Sequence, residues 1–298
     1  MAIDGVVAHR QYRQYAARHA IERAGGQFGW RTKGPAWLRE RFDDSRLEIF
    51  DTVNFGGFGH SNVNDVDLVH LRWLGDIDRL WMYDTQITDA GLRHLKWLTK
   101  LKELLLRNTA VTDEGLKCLL CLSELQALDL SETAVTDNGI AHLAELTQLR
   151  ELYLVDTSVS DRGLASLKSL QRLELLYLRN TQVTDAGFVH LCSLPNLREL
   201  ILDGTRVTGA EIGRLRGLSS LTRLDLAGTV VTDAEMPHFK NLTNLEFLDL
   251  AETNVTDHGL DVLAEMTRLK VMRLTGTIVT DAGVSKLQRA LPGLTIGR

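Results

Sequence analysis

One interval constrains this chain more than any other property. A T-x-[VI]-[TS]-[DG] box recurs nine times at a constant spacing of 24 residues, its first threonine falling at Thr85, Thr109, Thr133, Thr157, Thr181, Thr205, Thr229, Thr253 and Thr277. Ahead of each box runs an L-x-x-L-x-L pattern such as Leu101, Leu104 and Leu106; behind most runs D-x-G-[LIF]-x-x-L-x-x-L, as in Asp137, Gly139, Ile140, Leu143 and Leu146. A degenerate tenth unit precedes them, with Ser61, Val63, Asn64 and Asp65 in the marker positions. A unit this short cannot bury its own apolar face, so such repeats stack on one another and share a continuous core.

Each repeat carries two periodicities. The alternation in L-x-x-L-x-L is that of a short strand with one buried face, so Leu104 and Leu106 point inward while Glu103, Leu105 and Arg107 point outward. Val111 turns back into the core. The Thr or Ser that follows is a good helix N-cap, and the next Asp sits where a helix dipole favours negative charge. Thr208 with Glu211 and Thr232 with Glu235 have capping-box spacing. A stripe such as Leu116, Leu119 and Leu122 then buries a short helix. The repeated box threonine is expected to lie buried and to satisfy backbone groups of the turn.

A period in the twenties carrying L-x-x-L-x-L marks a leucine-rich-repeat solenoid. The expected fold is therefore α/β: a right-handed horseshoe of about ten 24-residue β-α units, with a parallel sheet on the concave face and short helices on the convex face. The T-x-V-T-D-x-G-L box resembles the ribonuclease-inhibitor-like superfamily, in particular the cysteine-containing-type repeats of F-box/LRR adaptors and bacterial cytoplasmic proteins built of such repeats. Ala20-Ile-Glu-Arg-Ala-Gly-Gly26 followed by Pro35-Ala-Trp-Leu-Arg39 is similar to the leader of many of the bacterial proteins. The resemblance spans about residues 53–296. It is specific for fold and says little of function: residues 1–46 carry no recognisable F-box, so the ubiquitin-ligase adaptor role of that family is not carried over.

Terminal units of a stack must differ from the rest. Residues 1–46 read as an N-terminal helical cap and 47–298 as the leucine-rich-repeat domain with its own C-terminal cap. In the first, residues 5–24 look helical, with a small-residue face of Ala16, Ala17, Ala20, Ile21 and Ala24 and a stop at Gly25-Gly26; Trp30, Pro35, Trp37, Leu38 and Phe42 follow. Val53 and Phe55 read as a first, irregular strand. At the far end Leu287, Leu291, Pro292, Leu294 and Ile296 slip by one residue and close the core.

Composition narrows the function classes. No run of 18 apolar residues spans a membrane, and Met1–Arg13 lacks the apolar core of a signal peptide. Three cysteines suit a reducing cytoplasm, and the sequons at Asn241 and Asn254 read as repeat consensus. The first 46 residues hold nine Lys/Arg against five Asp/Glu, leaving +4 there and −9 on the rest, without a cluster dense enough for nucleic acid. No Gly-rich phosphate loop, nucleophile elbow or H-E-x-x-H is present. No enzyme activity, cofactor or metal is expected.

Outward strand positions are where side chains escape the folding constraint. Trp81, Tyr83, Leu105, Tyr153, Val155, Tyr177 and Ile201 form an apolar, aromatic first half of that face, edged by Arg107 and Arg179. Aromatic residues and arginine anchor protein interfaces, although Trp81 also has the option of packing on the N-terminal cap. The second half is acidic: Asp225 and Asp249 stand on adjacent strands with Asp203 diagonal to them, and Arg223 and Arg273 are placed to compensate. An open sheet gives no obvious means of shifting these carboxylates. On the helices, His70, His94, His142, His190 and His238 share one position. Helices about 10 Å apart hold such histidines too far apart for one ion, so each is expected to make a local hydrogen bond. Cys118-Leu-Leu-Cys121 reads as two ordinary thiols, and Trp73 and Trp97 as a minor contact surface.

The expectation is a monomeric cytoplasmic scaffold that binds another protein on its concave face around Tyr153, Tyr177 and Arg179. The alternative is an assembly factor docking through its basic N-terminal segment and Trp-rich first repeats.

Overall fold

Every repeat begins with a three-residue strand, passes a left-handed residue just before the box threonine, and leaves through a short helical segment. The computed structural model describes residues 2–31 and 52–298; Pro35, Trp37, Leu38 and Phe42 of the expected cap lie outside them. The chain divides into two compact units, Met1–Asp129 and Leu130–Arg298.

The first unit opens with helix α1 (Ala2–Arg23), which Gly25 ends at φ +95°. Ala17 and Ile21 are buried and Ala20 and Ala24 half-buried, whereas Ala16 is exposed: the buried stripe follows the i, i+4 rows and leaves Ala16 to one side. Strand β1 (Gln27–Arg31) pairs antiparallel with β2 (Thr52–Gly57), with a register shift between Gly29 and Trp30. From β2 the chain runs in parallel to β3 (Arg79–Trp81), β4 (Glu103–Leu105) and β5 (Ala127–Asp129).

The second unit is a parallel sheet in sequence order: β6 (Glu151–Tyr153), β7 (Leu175–Tyr177), β8 (Glu199–Ile201), β9 (Arg223–Asp225), β10 (Phe247–Asp249), β11 (Val271–Arg273) and β12 (Thr295–Gly297). The leucines of L-x-x-L-x-L and of the helical stripe are buried throughout, Leu152, Leu154, Leu164, Leu167 and Leu170 among them. Each stabilises the stack by about 1.5–3 kcal/mol relative to exposure. A helix, Asp281–Ala290, closes this unit with Leu287, Leu291 and Leu294 buried, while Pro292 is exposed.

Two columns of polar residues fix the turns. The first is the box threonine, whose hydroxyl donates to the carbonyl three residues earlier: Thr109 to Leu106 at 2.7 Å, Thr205 to Leu202 at 2.6 Å, Thr253 to Leu250 at 2.6 Å. Just before it the backbone is left-handed in every repeat, at Asp84, Asn108, Glu132, Asp156, Asn180 and Glu252 as well as at Gly204, Gly228 and Gly276. Asn, Asp and Gly tolerate that region; glutamate does so at a cost.

The second column adds to the reading of the box aspartate, which does stand in the first helical turn. The cap Thr or Ser does accept from the amide two residues on, as Thr256 does from His258. The aspartate's main task, however, is to reach the next repeat. Asp89 accepts from both the amide (2.8 Å) and the hydroxyl (2.6 Å) of Thr112, and the same pair of bonds joins Asp65 to Thr88, Asp137 to Ser160, Asp161 to Thr184, Asp233 to Thr256 and Asp257 to Thr280. Acceptance from both Thr280 groups holds Asp257 below the usual carboxylate range. In these repeats the glycine two places after the cap aspartate leaves room for it: a Cβ on Gly115 would stand 2.3 Å from Asp89 Oδ1, and one on Gly259 2.4 Å from Asp233 Oδ1.

One repeat breaks the column and repairs it. Gly209 occupies the aspartate position, so Thr232 receives no carboxylate from the repeat before. Glu235 stands where the glycine belongs and supplies the missing acceptor itself, taking the Thr232 amide at 3.0 Å and hydroxyl at 2.8 Å. This is the expected capping box. The other one does not form: Asp185 already holds the Thr208 amide and hydroxyl, and Glu211 pairs with Arg214 instead.

The steric match between aspartate and glycine gives a double-mutant test. Gly259→Ala should cost about 1–3 kcal/mol by forcing Asp233 aside. Adding Asp233→Ala should cost at least about 0.5 kcal/mol less in that background than alone. Gly217→Ala, with nothing within 4 Å of the new methyl, is the neutral control. Chemical denaturation of the four variants measures all three.

Candidate functional site

Outward strand positions are built by the repeat itself, since alternate residues of each strand leave the core. In the first unit they are largely used up by packing. Trp81 stacks edge-on against Phe55 of β2 (centroids 4.6 Å apart) and donates its indole N–H to Glu103 at 2.6 Å. Tyr83 packs edge-on against His60 at 5.1 Å and covers Gly59, where any Cβ would fall within 2.4 Å of the ring. Leu105 is half-buried and Arg107 exposed.

In the second unit Tyr153 and Tyr177 are register partners on β6 and β7, their rings 5.0 Å apart and tilted by 46°. Both are half-buried, as is Val155. Tyr153 Oη lies 3.0 Å from Glu151. Arg179 is exposed and pairs with Asp203 at 3.2 Å. Burial first, then Glu199, Asp225 and Asp203, push the Tyr177 hydroxyl above its ordinary value, against the pull of Arg223.

Three expected surface residues are not at the surface. Ile201 is only 4 % exposed, Asp225 9 % and Asp249 3 %. Both aspartates fold back along the strand to accept the amide two residues on, Asp225 from Ala227 at 3.1 Å and Asp249 from Ala251 at 3.0 Å. This Asx-type turn satisfies the amide where the chain leaves the sheet and draws the carboxylate under its neighbours. The expected compensation is half realised. Arg273 lies 3.5 Å from Asp249. Arg223 instead stacks over Phe247, 4.0 Å from its centroid, with Glu199 3.9 Å away. Phe247 and Glu199, neither singled out by the sequence, thus decide where that arginine goes; an aromatic and an acid flanking an arginine on successive strands was the available signal.

The open sheet does shift its carboxylates, contrary to expectation. Desolvation, with Asp249 and Asp203 adding to it against the Ala227 amide and Arg223, raises Asp225 from 3.8 to about 6. Desolvation likewise raises Asp203 despite Arg179. One of its oxygens, Oδ1, is buried without a hydrogen bond.

On the helical side, His70, His94, His142 and His190 are half-buried and His238 exposed. Among the described residues none of these imidazoles makes a hydrogen bond, so the expected local bond is absent. No three His, Cys, Asp or Glu side chains among the described residues are placed to hold a metal ion. Burial raises the Cys121 and Cys192 thiols, which leaves them poor nucleophiles. Trp97 is exposed beside Lys96, and Arg13 and Arg72 lie over Trp73. Among the described residues no helix is long and apolar enough to cross a membrane.

The raised carboxylate makes a signed prediction. Because Asp225 binds its proton more tightly when folded, its stabilising contribution is complete below about pH 3.8 and is lost as pH rises through about 6. Asp225→Asn should therefore raise stability at pH 8 by about 1–3 kcal/mol, and the gain should vanish at pH 4. Urea denaturation at the two pH values checks it.

Comparison with known proteins agrees with this architecture. Two leucine rich repeat family models match, one over residues 195–254 and one over 98–120. The structure is similar to internalin C2 from Listeria monocytogenes, at 27 % identity and TM-score 0.58 over 70 % of this chain and 84 % of that one. It also shares its fold with another internalin (inlF) from the same organism, at 17 % identity and TM-score 0.52 over 88 % of this chain and 94 % of that one. A search of curated proteins finds no match. Repeat spacing, one strand per repeat and these matches together make the chain a leucine-rich repeat protein.

Proposed function

We propose that the chain is an interaction scaffold that captures another protein on the sheet face of its second unit, around Tyr153, Tyr177 and Arg179. The observation that carries this reading is the tyrosine pair: two half-exposed aromatic rings in contact on adjacent strands, at positions the repeat leaves free, with an exposed arginine beside them. Tyrosine and arginine supply most of the large energetic contributions at protein interfaces, and repeat solenoids as a class present such extended surfaces. The internalins are similar in fold, and this supports a binding rather than a catalytic role. The three free cysteines suit a cytoplasmic setting.

A second reading has its own support. Tyr12 and Tyr15 on α1 and Trp97 on the helical side are more than half exposed, and they would serve an assembly factor that docks through the first unit.

Affinity capture separates the two. Tyr153→Ser/Tyr177→Ser/Arg179→Glu, with circular dichroism matching the parent, should lose its captured partner by at least tenfold. Undiminished capture by the folded triple variant counts against the sheet face and moves the site to α1 or the helical side.

A further inference from the structure

The sheet face of the second unit carries an imbalance that its own residues do not remove. Four carboxylates cluster there: Glu199, Asp203, Asp225 and Asp249. Three arginines answer them, each already committed. Arg179 is on Asp203 at 3.2 Å, Arg273 on Asp249 at 3.5 Å, and Arg223 on Phe247 with Glu199 3.9 Å away. Asp225 is left without a cation within ion-pairing distance among the described residues, although it is nine-tenths buried and accepts a hydrogen bond from the Ala227 amide. Its diagonal neighbour Asp203 has a buried oxygen with no hydrogen bond at all. Burying an unmatched carboxylate is costly, and a cation that returns the lost attraction removes much of that cost.

The surroundings suit a side chain of particular shape. Ala227 and Ala251 follow the two buried aspartates, and Gly204 and Gly228 stand at the turn, so the nearest positions along the chain carry small residues. Tyr177, whose register partner Ile201 pairs in turn with Asp225, offers a ring on the other side. Lysine and arginine lay an apolar stem along such surface and present several donors at the tip. An aromatic ring attracts the charged end as well.

We propose that this face binds an extended basic segment of a partner protein, seating a lysine or arginine side chain between Asp203 and Asp225 with its stem along Tyr177. The proposal rests on the scaffold reading and specifies the chemistry of the partner. The charge count commits it to a cationic segment. An apolar strand, a second copy of this acidic chain or an inorganic cation are the competing occupants.

The test is a positional-scanning library of decapeptides, one position fixed at a time, panned on the full chain at low salt. Asp203→Asn and Asp225→Asn variants, checked by circular dichroism, run in parallel. The expected result is at least tenfold enrichment of Lys or Arg at one or two positions. Enrichment should fall at least fivefold in either variant and on raising the salt, and acetylation of the selected lysine should abolish binding. Enrichment of apolar residues, equal enrichment in the variants, or no enrichment overturns the proposal. So does a melting-temperature rise with calcium, magnesium or zinc that needs Asp225. Failure here alongside partner loss in the tyrosine triple variant would remove the basic segment and leave the scaffold standing; undiminished capture by that variant would remove the scaffold reading itself.

Discussion

The rest of the structure depends on one interaction, the reach of a carboxylate from one repeat to the cap threonine of the next. It satisfies an amide and a hydroxyl at once, at 2.6–2.9 Å in the regular repeats, and it does so where the stack would otherwise have unpaired groups on its helical edge. The link also explains a residue that is not part of it. Where glycine stands two places after the aspartate its small size makes room, because a Cβ there would strike the carboxylate arriving from behind; Glu211 is the exception, and there Asp185 reaches Thr208 through a single oxygen. Where Gly209 removes the carboxylate, Glu235 both vacates the glycine and restores the acceptor. Loss and compensation sit in consecutive repeats.

With the turns fixed by threonine and aspartate and the core filled by leucine, the outward strand positions carry no obligation to the fold. The two units use them differently. The first spends Trp81 and Tyr83 on packing against Phe55 and His60. The second keeps a tyrosine pair in contact and accumulates carboxylates that are more buried than an open sheet would suggest, because Asp225 and Asp249 fold back onto amides at the strand ends. Tethering supplies a structural reason for both aspartates; Arg273 answers Asp249, whereas Asp225 has no cation within ion-pairing distance among the described residues.

Much of the fold was legible because it rests on repetition. The strand leucines, the helical stripe and the box threonine each follow a period that nine copies display, and they lie buried as that period requires except in the last copy, where Thr277 and Val284 are half-buried. What escaped was interaction between copies. Asp89 and Thr112 are 23 residues apart, so reading one repeat at a time assigned the aspartate to its own helix dipole and missed its partner. The same blindness placed Ile201 on the surface, since alternation says which way a side chain leaves the strand but not what neighbouring strands lay over it. The left-handed residue before each threonine was visible as a column of Asp, Asn and Gly, with two glutamates to obscure it. The pattern places Arg223 to compensate the acidic cluster, but its guanidinium lies over Phe247, an aromatic face one strand over.

The claim at the centre is that the sheet face of Leu130–Arg298 is the one that meets a partner. A photo-crosslinking phenylalanine analogue placed at Tyr177, and separately at the exposed Val189 on the helical side, tests it most directly. Illumination in a lysate of the source cells should give a discrete adduct from position 177 and none of the same mass from position 189. An adduct from 189 alone, with 177 silent, would contradict the account.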